Sequence, residues 1–281
     1  MSWLALAALL CFAANSILAR LALRNGQIDA ASFTAIRLAA GALALWLLLL
    51  ARGSSLRLGG RGAWIAALFL FLYAAPFSFA YVELSAGTGA LLLFGAVQLT
   101  MIGAGLGGGE RPHWREWLGL AVALAGLVYL NLPGLSAPDP LGAALMALAG
   151  IAWGLYSLRG RSATAPLAET AHSFLLATPL GLLLAAAGSG RAHLSGVGIA
   201  CAVASGALAS AGGYAAWYSV LPRLSATRAG TLQLAVPVLA ALAGVLLLGE
   251  RLSPRLVGSA IAILGGVGLA ISCRARRVTL R

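Results

Sequence analysis

Residues 84–131, LSAGTGALLLFGAVQLTMIGAGLGGGERPHWREWLGLAVALAGLVYLN, are written a second time 140 positions later, with no gap. Under that shift Leu84, Ser85, Ala86, Leu92, Leu99, Leu106, Gly109, Glu110, Arg111, Arg115, Leu124 and Gly126 meet identical residues between Leu224 and Gly266. In a chain rich in Leu, Ala and Gly, coincident leucines carry little information. A doubled Gly-Glu-Arg, at Gly109-Glu110-Arg111 and Gly249-Glu250-Arg251, carries much more, because only seven residues in the chain are acidic. The sequence is therefore read as an internal repeat of about 140 residues, with halves 1–135 and 136–281.

Working outward from the repeat, the composition states the solvent. Of 281 residues 61% are apolar and 9% charged, against roughly 45–50% and about 25% in soluble domains. The chain is too apolar for an ordinary soluble protein and reads as one membrane-embedded unit. A span needs about 20 apolar residues. Ten such runs occur, at about 2–22, 30–51, 62–83, 86–106, 114–131, 140–158, 168–188, 196–220, 227–248 and 254–273. The first run has no Ala-x-Ala-type cleavage site after it and leads through a polar loop to another span, so it is expected to be a helix and not a removed signal.

The net charge of +12 would suggest nucleic acid in a soluble protein. Here every basic residue is Arg, and apart from Arg37, left inside the second span, they sit in loops. With the N-terminus in the cytoplasm, thirteen arginines fall on the cytoplasmic side (52, 57, 61, 111, 115, 159, 161, 223, 228, 274, 276, 277 and 281) and five outside (20, 24, 191, 251 and 255). Positive charge gathers on the cytoplasmic face of a membrane protein, so both termini are expected there. The three cysteines, Cys11, Cys201 and Cys273, lie far apart in apolar runs and read as small buried hydrophobes. No metal, cofactor or nucleic-acid partner is expected, only a small-molecule substrate and lipid; the chain is read as a monomer or weak dimer.

Five spans per half is an odd number, so the second copy enters the membrane upside down. The fold class is an all-α polytopic membrane protein, with ten transmembrane helices as a 5+5 inverted-topology repeat around a central cavity. Such repeats let two similar halves alternate about a midplane site in secondary transporters.

These features together resemble a known family. Ser85-Ala86 and Ser225-Ala226 open the fourth and ninth spans, Gly-Glu-Arg closes each, and Gly-rich fifth and tenth spans follow (Gly119, Gly126; Gly258, Gly265, Gly266). Arg37 after Phe33-Thr34 in the second span fits the same pattern. The chain is similar, over nearly its whole length, to the EamA-type exporters of the drug/metabolite transporter superfamily. The resemblance implies a small-metabolite exporter of a bacterial inner membrane. Size and aromatic content are similar to the amino-acid exporters, including those for aromatic amino acids.

A midplane site would be built from neutral polar and aromatic side chains. The candidates are Asn15, Ser16, Tyr73, Ser78, Phe79, Tyr81, Phe94, Gln98, Trp153, Tyr156, Tyr214, Trp217 and Gln233. Trp153 with Tyr156, and Tyr214 with Trp217 and Tyr218, each share a helix face, although interfacial belts also collect Trp and Tyr. Glu110, Arg111, Glu250 and Arg251 read as gate or structural residues that pair or cap at interhelical turns. Arg37 lies about one turn into its span, so its side chain either snorkels to the interface or serves substrate or gate. His172, near Glu169, reads as an interfacial hydrogen-bonding residue. Pro76, Pro179 and Pro237 interrupt spans and are candidate hinges. Gly103/Gly107 and Gly105/Gly109 have the spacing of close helix packing.

No Asp or Glu lies mid-span, whereas proton-coupled pumps commonly carry an intramembrane acid or His relay. Facilitated diffusion is therefore the expected mode, with proton-coupled export of other metabolites or drugs as the alternative. A membrane enzyme has thinner support, since His-Glu-x-x-His, Gly-x-Ser-x-Gly and paired midmembrane acids are all missing. A channel would need a carbonyl filter or charge rings, which do not appear.

Overall fold

A computed structural model describes residues 3–54, 61–107, 114–132, 137–160, 163–188, 192–220, 233 and 235–278. Ten helices run along them: α1 Trp3–Leu23, α2 Ala30–Ala51, α3 Arg61–Glu83, α4 Ala86–Gly107, α5 Trp114–Asn131, α6 Pro140–Gly160, α7 Pro166–Ala187, α8 Gly196–Val220, α9 Ala235–Leu248 and α10 Pro254–Val278. Among the described residues the only strand pairing is one antiparallel bridge, Ile28 with Leu194. Seven helices are long and apolar enough to cross a membrane, and shorter apolar stretches lie in α5, α9 and α10. Leu43, Trp46, Leu47, Leu246, Leu247 and Ile261 stand well exposed on the outer surface. That surface suits hydrocarbon, where only helices or closed barrels satisfy their backbone groups. The protein is a multi-pass membrane protein.

The helices pair in a pattern that shows the repeat in three dimensions. α5 packs on α10, α2 on α7 and α4 on α9, each with its own counterpart. α3 packs on α6 as α8 packs on α1, α4 on α6 as α9 on α1, and α2 on α8 as α7 on α3. Exchanging the first five helices for the last five turns each of these pairs into itself or another of them. Helices five apart run in opposite directions, so the relation is an inverted one.

Several helix ends shift by a few residues from the sequence reading, and two place in a helix an arginine counted with the loops. α1 continues to Leu23 and α6 to Gly160, so Arg20 and Arg159 belong to last helical turns and not to loops. The spacing of Gly103 and Gly107 does not make a helix contact: a Cβ at either position would meet nothing within 4 Å. The close approach falls instead where α2 crosses α8. A Cβ on Gly206 would lie 2.2 Å from the Arg37 carbonyl oxygen and 2.9 Å from the Gly41 nitrogen.

On the face where α1 ends, the two halves are stapled by loops. Asp29 caps α2, its carboxylate accepting from Ser32 N–H at 2.8 Å and from His193 N–H at 3.2 Å, while its own N–H donates to His193 O. Ser195 donates to Gln27 through both its N–H and its hydroxyl. Burial would raise the Asp29 carboxyl, but these donated hydrogen bonds outweigh it and hold the group below its ordinary value. A depressed carboxyl stabilises the fold above its unfolded pKa, about 3.9, and loses that contribution as pH falls through the folded value. Asp29→Ala is expected to cost about 1 kcal/mol at neutral pH, the usual worth of a cap. Thermal denaturation in detergent checks this, and the gap between parent and variant should shrink below about pH 4.

Candidate functional site

At mid-depth, five helices from both halves converge on a narrow cavity of about 10 Å³, closed down in this state to the space of about one water. It is lined by Phe12, Asn15 and Ser16 of α1, Tyr73 and Phe77 of α3, Leu93 and Phe94 of α4, Trp153 of α6 and Tyr214 of α8. Trp153 is its hub. Its ring stacks on Tyr214 at 5.0 Å and lies 4.9 Å from Tyr73, 5.6 Å from Tyr156 and 6.2 Å from Phe12. Offset and edge-on rings at these separations attract one another beyond simple burial. The result is a ring-lined site with a few hydroxyl and amide groups, whose chemistry suits a flat or apolar solute carrying a polar end and which must widen to admit one.

Behind one wall runs a polar network that joins the halves. Asn15 accepts from Ser205 Oγ at 2.7 Å and donates to Ser210 Oγ at 3.3 Å. Ser210 Oγ also accepts from Arg37 Nε at 3.4 Å, and Arg37 Nη2 donates to Tyr73 Oη at 2.8 Å. Both serines lie in residues 205–212 of α8, a π-helical stretch inside an otherwise α-helical span. Such widened turns free backbone groups and often sit at functional sites. Gly206, in this stretch, permits the crossing with α2.

One end of the cavity is shut by charge. Arg20, one turn beyond Ser16 on α1, donates from Nη1 to Tyr81 O at 3.1 Å and Val82 O at 2.7 Å, and from Nε to Glu250 Oε1 at 3.4 Å. Glu250 in turn accepts from Ala86 N–H, at 3.0 and 3.1 Å to its two oxygens, and so caps α4. A carboxylate is favoured at a helix N-terminus by the dipole. Gly249 makes the turn that delivers Glu250, with φ at +64°. Arg24 adds a bond to Leu248 O. This latch ties α1, α3, α4 and the end of α9 together.

The other end is open. A vestibule of about 340 Å³ lies between the start of α3, the end of α6, the start of α7 and the end of α8. Tyr156, Arg159, Glu169, His172, Ser173 and Tyr218 are among its lining residues. Tyr156 belongs to the vestibule and its ring contacts Trp153 of the cavity, so an aromatic wall separates the two spaces. Among the described residues, no three His, Cys, Asp or Glu side chains come together as a metal site.

Of the residues singled out in the sequence, Asn15, Ser16, Tyr73, Phe94, Trp153 and Tyr214 line the cavity together. Trp217 touches its edge through Phe12, with rings 6.0 Å apart. Tyr156 and His172 line the vestibule, and His172 is buried there at 4% exposure. Ser78 and Tyr81 are buried but serve packing: Ser78 accepts from Thr34, and Tyr81 donates to Ala86 O beneath the latch. Gln98 and Gln233 are buried, each with one amide atom lacking a partner, and neither lines the cavity. Phe79 stands apart, 41% exposed on the outside of α3, two residues past Phe77 and turned away from the cavity.

The charged residues differ more. Glu250 pairs with Arg20, not with the exposed Arg251 beside it. Arg37 does not snorkel; it is 1% exposed and inside the bundle. Glu110 and Arg111 lie outside the described residues. α3 and α7 run on through Pro76 and Pro179, whereas Pro237 stands in the first turn of α9 as described. Phe12 and Phe77 were missed by the sequence reading. Phe12 lies three residues before Asn15 and Phe77 four after Tyr73, so the helical face of each polar candidate pointed to them.

The chain matches the EamA-like transporter family twice, over residues 1–132 and 140–272. A Pseudomonas aeruginosa protein of unassigned role is 54% identical over 270 residues, 96% of this chain and 94% of its own length. The uncharacterized inner membrane transporter YedA of Escherichia coli K12 is 30% identical over 149 residues, 52% of this chain and 49% of its own length. An uncharacterized transporter of Archaeoglobus fulgidus is 32% identical over 162 residues, 56% and 57% of the two chains. A solved crystal structure shares the fold, with a TM-score of 0.68 at 23% identity over 95% of this chain and 98% of the other.

Proposed function

The chain belongs to the EamA-like transporter family, and we propose that it is an alternating-access exporter of small metabolites, amino acids and aromatic amino acids foremost. The observation that carries this reading is the mid-depth cavity, ring-lined, drawn from both halves, latched on one side and facing a vestibule on the other. In the proposed cycle residues 1–135 and 136–281 rock about that space. Substrate passes from the vestibule by way of the Trp153–Tyr156 pair. Release requires the Arg20–Glu250 latch to part while the vestibule end closes.

The arginine asymmetry supports an inner-membrane orientation with both termini, and hence the vestibule, in the cytoplasm. Facilitated diffusion is supported by the cavity lining, which among the described residues has no acid and no histidine. Proton coupling is the second reading, favoured by Glu169 and His172 in the vestibule. Uptake of labelled phenylalanine or tryptophan into sealed liposomes tests the function, and saturable uptake is expected. Trp153→Phe is expected to lower the rate about tenfold, through loss of part of a ring surface that positions substrate. Unchanged uptake in that variant would remove the cavity from the transport path. Rates independent of an imposed pH gradient support the facilitative mode; strong stimulation by the gradient supports the second reading.

A further inference from the structure

Among the described residues no carboxylate lies against Arg37, a full positive charge inside the bundle. The groups it meets are neutral: Tyr73 Oη, Ser210 Oγ, and the rings of Phe77 and Tyr73, with the guanidinium carbon 4.6 and 5.0 Å from their centroids. Its Nη1 is buried and has no hydrogen-bond partner. A charge within a span is costly and ordinarily marks a functional path or partner, and rings and hydroxyls offset only part of that cost.

What stands between Arg37 and the cavity is a row of donors. Tyr73 Oη accepts from Arg37, which leaves the phenolic hydrogen free to donate to another acceptor. Tyr214 Oη is buried, lacks any hydrogen-bond partner, and belongs to a ring that lines the cavity. Both phenol rings flank Trp153, at 4.9 and 5.0 Å. The lining therefore presents unsatisfied donors backed by a positive charge. The ligand group that answers it is an anion with two acceptor oxygens.

We infer that the cavity is a carboxylate-binding site, in which Tyr73 and Tyr214 donate to the carboxylate oxygens and Arg37 behind Tyr73 is the counter-charge. The inference rests on the reading that this cavity is the transport site, and it narrows the substrates to carboxylates with an apolar or aromatic body. Charge-assisted hydrogen bonds of this kind are about twice as strong as neutral ones. The site thus selects the acid over its isosteric amide.

Calorimetric binding to the full-length protein in detergent tests this with three probes: L-phenylalanine, L-phenylalaninamide and 3-phenylpropionate. The acids are expected to bind about tenfold or more tighter than the amide. Arg37→Gln should erase that preference while leaving amide binding in place. Tyr214→Phe, which removes one oxygen and keeps the ring, should reduce the preference several-fold. It serves also if the Arg37 variant does not fold. Equal binding of acid and amide by the parent protein overturns the inference, as does a preference that survives both variants or a failure of either acid to bind. If 3-phenylpropionate binds in an Arg37-dependent way while phenylalanine is not transported, the carboxylate site stands and the amino-acid proposal falls. If phenylalanine and its amide are transported alike, the reverse holds.

Discussion

In a Glu250→Gln variant carrying Ser16→Cys, an impermeant thiol reagent added on the latch side is expected to label position 16 at least about tenfold faster than in the parent background. The background would have Cys11, Cys201 and Cys273 replaced by alanine. Ser16 is 1% exposed, lines the cavity and lies one turn below Arg20, so its accessibility reports opening of that end. The magnitude follows from burial. Arg20 and Glu250 side chains are only 12% and 9% exposed, so the pair is not a screened surface contact. Removing one partner of a buried pair costs about 3–5 kcal/mol, because the other charge is left without compensation. Even the lower end of that range, charged to the latched state alone, shifts the balance about a hundredfold, since 1.4 kcal/mol is a factor of ten. The variant also loses the carboxylate that caps α4 at Ala86. A double Arg20→Gln/Glu250→Gln variant should recover part of the labelling difference, as the uncompensated charge is gone. Unchanged labelling in Glu250→Gln would mean that the latch does not control this end of the cavity.

Gly206→Ala is expected to lower the thermal midpoint in detergent by well over ten degrees or to prevent recovery of folded protein. The obstacle is main chain. The new Cβ would sit 2.2 Å from Arg37 O and 2.9 Å from Gly41 N, and no rotamer change relieves a clash with backbone. Overpacking a core costs about 1–3 kcal/mol when side chains can yield, and here α2 and α8 would have to separate. That separation would pull Ser210 from Arg37 and Asn15, so the polar network behind the cavity should fail with the packing. Gly212→Ala is the control within the same π-helical stretch. A Cβ there meets nothing within 4 Å, and the variant should keep the parent midpoint. Equal midpoints for the two variants would show that α2 and α8 do not cross this closely.

The latch also shows where sequence reasoning reached and where it stopped. The doubled Gly-Glu-Arg identified Glu250 as a structural or gating residue, and the described half of that expectation has a clear geometry. On paper Glu250 could cap a helix end and bind either its neighbour Arg251 or the other half's loop. A left-handed Gly249 turns Glu250 back over α4, toward an arginine 230 positions away. Pairings of that separation leave no mark in local pattern.

The spans, the repeat and the membrane setting were legible because each depends on one-dimensional quantities. Bilayer thickness sets the length of an apolar run, and an odd number of spans per copy sets inversion by counting. Which face of a helix turns inward was legible only where a polar residue such as Asn15 or Tyr73 marked it, and not from the apolar pattern. In a soluble helix the inward face is apolar and the outward face polar, so the pattern reveals the rotation. Here lipid is as apolar as the protein interior, and Phe79 facing out looks like Phe77 facing in. Only the tertiary structure decided that Phe12 and Phe77 wall the cavity and that Arg37 is buried behind Tyr73. It also decided that Arg20 meets Glu250. Each follows from helix rotation and crossing, which the packing of small residues such as Gly206 determines and hydropathy along the chain does not record.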